Sequence, residues 1–92
     1  MNSVNVSIPT PLRRFLAGAR TMKVEADTVG GVFASMIEAH PALHGRILDE
    51  AGGLRSHLNI YVGDEDIRQQ SGLQTPVRDG DQITIVAALA GG

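Results

Sequence analysis

The amino-acid sequence predicts an α+β domain in which a mixed β-sheet carries one main helix on one of its faces. Three observations carry that expectation. Apolar residues alternate near both ends of the chain, they recur at helical spacing from Val29 to Ile37, and Pro or Gly clusters punctuate the stretches between. Ninety-two residues, 42% of them hydrophobic, make one small domain over 1–92 that can bury a single core without staples.

Each element follows from its local pattern. In "VNVSI" the residues Val4, Val6 and Ile8 share one face, and Pro9 and Pro11 end the run, which reads as a first strand. After the connection "TPLRRFLAGA", "TMKVEA" alternates again with Met22, Val24 and Ala26 on one side, so an antiparallel hairpin is expected. The period then lengthens. Val29, Val32, Phe33, Met36 and Ile37 recur at helical spacing, with Asp27 or Thr28 placed to cap the free N–H groups of the first turn. Pro41 cannot continue the helical hydrogen bonding, so the helix should end near His40, followed by a short helical segment over 42–48. "DEAGGLRSH" reads as a loop, "LNIYV" as a strand with Leu58, Ile60 and Val62 inward, "GDED" as a turn, and "DGD" as the turn into a last strand, "QITIVAAL".

Composition narrows the function. The absence of Cys removes disulfides, thiolate ligand sets and a thiol nucleophile, and suits a reducing compartment. The N-terminal stretch lacks the layout of a signal peptide, and no apolar run approaches the ~20 residues that span a bilayer; a cytoplasmic protein with no membrane partner is expected. A net charge of −2, one Tyr and two Phe offer neither a basic field nor stacking surface for nucleic acid. There is no GxxxxGK[ST] phosphate loop and no GxGxxG, so the chain is not expected to bind ATP or any other cofactor itself. His40, His44 and His57 lack metal-ligand spacing, and no metal site is expected.

The chain closes on "ITIVAALAGG", a strand-like run leading into two bare glycines. Together with "NIYVGDEDIR" and "LQTPVRDGDQ", this end resembles the ThiS/MoaD-type ubiquitin-like sulfur carriers, whose last strand follows a "DGD" turn and whose chains finish in Gly-Gly. The likeness runs from "VNVSIP" onward and is nearest to the CysO-like carriers of cysteine biosynthesis. It implies the β-grasp arrangement, with first and last strands paired centrally in parallel and residues 87–92 forming an extended, flexible tail. It further implies that the terminal carboxylate of Gly92 is the reactive group, adenylated with ATP by a ubiquitin-activating-type adenylyltransferase/sulfurtransferase and converted to a thiocarboxylate. Implied later partners are a sulfur-accepting synthase, such as a PLP-dependent cysteine synthase, and a JAMM-type metalloprotease. On this reading the chain is not an enzyme but a protein co-substrate.

The residues of the tail fit such a role sterically. Six extended residues at ~3.3 Å each reach roughly 20 Å. Gly91 and Gly92 pass a narrow channel, Ala90 keeps the approach slim, and Leu89 supplies one apolar anchor. Strand alternation puts Tyr61 and Val86 on the face away from the helix as a docking patch, the face that the activating enzyme grips in the resembling carriers; Asp64 and Asp66 are minor partner-binding candidates. Scattered surface apolar residues would look the same in sequence. "TVGG" at the helix start is read as a close approach of Gly30 and Gly31 to the sheet, and Arg13, Arg14 and Arg20 as a modest basic cluster suited to protein contacts. Lys23 is the only lysine, which disfavours a modifier that builds chains on itself. The alternatives left open are a ubiquitin-like protein modifier, a non-catalytic binding module, and, among carriers, the small subunit of molybdopterin synthase or a thiamin carrier.

Overall fold

The computed structural model describes residues 1–87, and the expected tail from residue 88 onward lies outside the described residues. Five strands form one mixed sheet: β1 (Asn2–Ser7), β2 (Thr21–Ala26), β3 (Leu58–Val62), β4 (Glu65–Asp66) and β5 (Gln82–Ala87), in the spatial order β2-β1-β5-β3-β4. The β1–β2 and β3–β5 pairs are antiparallel, whereas β1 and β5 run parallel with Val6 opposite Ile83 and Ser7 opposite Thr84. This is the expected β-grasp arrangement. One strand goes beyond the sequence expectation. The two residues of β4 fold back antiparallel on Tyr61 and Val62, so the "GDED" segment supplies a turn and then a short edge strand. The final strand also runs through Ala87, paired with Leu58, so the first residue assigned to the tail belongs to the sheet.

The first connection also departs from expectation. Pro9 and Pro11 end β1 as expected, but Thr10–Arg13 then forms a helical turn, α1, followed by a 3-10 turn over Arg14–Leu16. Proline is tolerated in a first helical turn, where its missing N–H would lack a partner anyway. The turn serves the core by burying Leu12 and Leu16.

The main helix, α2 (Val29–Ala39), lies on the face of the sheet built by the alternate apolar residues. Thr28 is its cap, its Oγ1 accepting from the Gly31 N–H at 3.0 Å. Val29, Val32, Phe33 and Met36 are essentially without solvent contact and meet Val4, Val6, Val24, Ile60, Ile83 and Ile85. Beyond His40 a 3-10 turn over Pro41–Leu43 and a short helix, α3 (His44–Ile47), add Leu43 and Ile47 to the same core.

The helix start is also tied to the segment before β5. Val29 donates its N–H to the Thr75 carbonyl, and Val77 donates to the Asp27 carbonyl, each at 3.0 Å. Gly30 is what permits this approach: a Cβ there would stand 2.9 Å from the Leu73 carbonyl oxygen. Only Gly31 meets the expectation of contact toward the sheet, with the Ala26 Cβ 3.2 Å from its ideal Cβ position. Gly30→Ala should therefore destabilise the domain by about 1–2 kcal/mol, because the clash is with backbone and exceeds the helix-propensity gain of Ala. Gly45→Ala, in α3 with nothing within 4 Å of the new methyl group, should be neutral or stabilising. Urea denaturation of both variants checks the pair, and equal midpoints would contradict the backbone clash.

Candidate functional site

The candidate site is built around the end of β5. Because β5 is parallel to β1, its last residue emerges at the end of the sheet where β1 gives way to Ile8 and Pro9. Ala87 is half-buried opposite Leu58, and Ile85 is buried, so the chain is held in the sheet up to its last described residue. Leu89, Ala90, Gly91 and Gly92 lie outside the described residues.

Val86 is 42% exposed and, with Met1, makes up the exposed large hydrophobic residues among those described. Its neighbours differ from those expected. Tyr61 is half-buried on the same face but stands opposite Thr84, while Val86 stands opposite Asn59. The two candidates are therefore diagonal neighbours with polar partners directly across, and they form no continuous apolar strip. Val86 instead lines a shallow groove with Pro9, Pro11, Ile85 and Ala87, beside the chain exit. That groove depends on tertiary proximity of residues 9–11 to residues 85–87, which no local pattern announces.

The acidic candidates also separate. Asp64 is exposed in the turn after Val62, which pairs with Ile83 near the start of β5, so it sits at the far end of the strand from Ala87. Asp66 is engaged within the fold, where its carboxylate accepts from the Arg68 N–H at 2.8 Å and caps the 3-10 turn Ile67–Gln69. Arg68, which no sequence pattern singles out, donates to the Asn59 side chain at 2.6 Å and to the Leu58 carbonyl at 2.8 Å, closing the part of the β3 edge that β4 leaves open. Among the described residues no group of three His, Asp or Glu side chains gathers as a metal site, and no helix is long and apolar enough to cross a membrane.

The topology is that of ubiquitin-like β-grasp proteins, and comparison with known proteins defines the branch. The ThiS family model matches residues 6–92. The sulfur carrier protein CysO of Mycobacterium tuberculosis is 40% identical over 92 residues, covering 98% of this chain and 99% of that protein. Among solved structures, the Amycolatopsis orientalis BexX/CysO complex contains a chain that superposes with a TM-score of 0.89 at 38% identity, covering 97% of this chain and 99% of that one. The small archaeal modifier protein 1 of Methanosarcina acetivorans superposes with a TM-score of 0.84 at 31% identity, covering 100% and 98%. The chain belongs to the ThiS family.

The two acids are separable by stability. Asp66→Ala should cost about 1 kcal/mol through loss of the cap, whereas Asp64→Ala, in an exposed turn, should stay within about 0.5 kcal/mol of the parent. Thermal denaturation of the two variants measures this, and an unaffected Asp66→Ala would remove the capping role.

Proposed function

We propose that this chain is a sulfur carrier and that the carboxylate of Gly92 is its reactive group. The observation that supports the reading best is the family match, which covers nearly the whole chain and extends through Gly92. The sheet adds a physical reason, since a central strand fixed at Ala87 gives the following residues a defined point of departure.

In the proposed cycle a partner enzyme supplies the nucleotide site. A Gly92 carboxylate oxygen attacks the α-phosphorus of ATP and pyrophosphate leaves. Sulfide from a donor then attacks the acyl carbon of the adenylate and expels AMP, leaving a thiocarboxylate, which is anionic at neutral pH and a good nucleophile. A synthase that accepts this sulfur, of the PLP-dependent cysteine-synthase type, and a JAMM-type metalloprotease that cleaves the resulting adduct complete the cycle. The chain acts as a co-substrate throughout. Similarity to a small archaeal modifier protein supports a second reading, attachment of Gly92 to amines of other proteins.

Deleting Gly92 would withdraw the carboxylate by ~3.3 Å, and appending one residue would lock the acyl carbon in a peptide bond. Both variants should fold normally and lose thiocarboxylate formation by at least about a hundredfold, given the rate cost of misplacing a reacting atom by ~1 Å. The assay incubates each with the cognate activating enzyme, ATP and sulfide, blocks proteolysis of the extension, and reads the product by alkylation and intact mass. Undiminished sulfur uptake by either variant would sink the carrier reading. Amine conjugates in place of thiocarboxylate would favour the modifier.

Val86→Asp should raise the KM of the activating enzyme for the chain about tenfold, because the carboxylate would be desolvated in the interface, while changing stability by no more than about 1 kcal/mol. An unchanged KM would take Val86 off the docking surface.

A further inference from the structure

The proposed function makes no use of a cationic cleft that flanks the chain exit. A cleft of about 380 Å³ is bounded by Pro11, Arg14, Phe15, Arg46, Arg55 and His57. Pro11 also lines the groove that contains Val86 and Ala87, and His57 directly precedes Leu58, the partner of Ala87, so cleft and exit adjoin on two sides. Arg14 and Arg46 are exposed, and each holds its guanidinium over the Phe15 ring, 4.9 and 5.0 Å from the centroid. Arg55 is held in place by donating its Nε–H to the Gly45 carbonyl at 2.7 Å.

Among the described residues no carboxylate lines this cleft. The ion pair found among the described residues joins the Met1 amino group to Asp27, 3.9 Å away, at the opposite end of β1. Asp49, the acid nearest to this region in sequence, has its carboxylate occupied by the N–H groups of Ala51 and Gly53. Several acids, with Arg78 among them, lie at the other end of the sheet. Asp27, Asp64, Asp79 and Asp81 sit in turns at the end where β1 and β5 begin, while the arginines of the cleft gather where β5 ends. A chain with a net charge of −2 thus gathers, among the described residues, three arginines beside the end of β5.

Two guanidiniums stacked on one ring repel each other, and neither forms an ion pair with an acid among the described residues. The planar forks of Arg14 and Arg46, held by the ring, and of Arg55, held by the Gly45 carbonyl, match carboxylates. We propose that the cleft docks against an acidic surface of the activating enzyme beside the opening that receives the tail, and that it orients the carrier as the tail enters. This rests on the carrier reading. The salt-sensitive charges would act mainly on encounter and register, and the apolar groove around Val86 on residence.

The test is the KM of the cognate activating enzyme for the full chain, measured by AMP release at NaCl concentrations from low to high. Arg14→Glu/Arg46→Glu should raise KM about tenfold at low salt with kcat unchanged, and the gap should close at high salt. Arg78→Glu, an exposed charge reversal before the start of β5 and outside the cleft, should remain near the parent, and denaturation of each variant controls for folding. An unchanged KM, or a loss that salt does not alter, overturns the proposal while the carrier reading stands. Failure of the parent chain itself to be adenylated overturns both. Tight binding of ATP to the free parent chain, lost in the double variant without any change in KM, would reassign the cleft to a nucleotide and also overturn it.

Discussion

β1 and β5 lie side by side in parallel, with Asn5, Val6 and Ser7 opposite Gln82, Ile83 and Thr84, and most of the chain intervenes between the two strands. Closing so long a loop carries an entropic cost that grows slowly with length, and burial of apolar surface must offset it. Val6 and Ile83 are fully buried, as are the residues of α2 that cross over them. The pairing also fixes direction. A parallel partner forces the last strand to leave the sheet where the first one ends, so the neighbourhood of the chain exit is composed by the turn after β1 and by residues 45–57, whatever their own sequence preferences.

The same constraint divides the two faces of the sheet. Toward the helix the strands present an unbroken apolar layer, and toward solvent they present Asn5, Ser7, Asn59, Thr84 and the like, interrupted by the exposed Val86. The core needs no specialised chemistry, and none of its buried side-chain polar atoms lacks a partner among the described residues. Polar cross-links come from the 71–82 segment, which meets the start of α2 through Thr75 and Val77 and the start of β1 through the Asp79 carboxylate, which accepts from the Ser3 N–H at 2.6 Å. Gly30 is part of that link, and its role is close packing against another backbone rather than flexibility.

What can be read from sequence divides along a physical line. The strands β1, β2, β3 and β5 and the helix α2 announce themselves because each has a period that local residues satisfy alone, while the cap is legible only as Asp27 or Thr28 until the structure shows Thr28 in the role. The strand β4 does not, because two residues carry no period and exist as a strand only through the edge of β3. The helical turn α1 is obscured because Pro9 and Pro11 read as breakers, although a proline in the first turn is compatible with a helix. Faces are legible and register is not. Alternation places Tyr61 and Val86 on one side, but only the pairing with Thr84 and Asn59 shows that they are diagonal. Arg14 reads in sequence as one of a local basic cluster with Arg13 and Arg20. Its actual companions, Arg46 and Arg55, lie far along the chain, while Arg13 instead donates to the Ile8 carbonyl at 3.0 Å.

These placements bear on how, on the proposed carrier reading, a small domain would control a reaction at its chain end. On that reading the domain's contribution is a position and an address. Burying one valine is worth about 1.5–2 kcal/mol and carries little directional information. Exposed guanidinium–carboxylate pairs are worth roughly 0.2–1 kcal/mol each and fade with salt, but they act at longer range and penalise wrong orientations. Neither term alone would hold a partner with both affinity and register. Placed on adjoining sides of Ala87, as the Val86 groove and the Arg14–Arg46–Arg55 cleft are, they complement each other without adding a reactive group to the domain. The parallel pairing of β1 and β5 is what puts both beside the exit, so the core constraint that closes the fold also sets the geometry from which the chain end is presented.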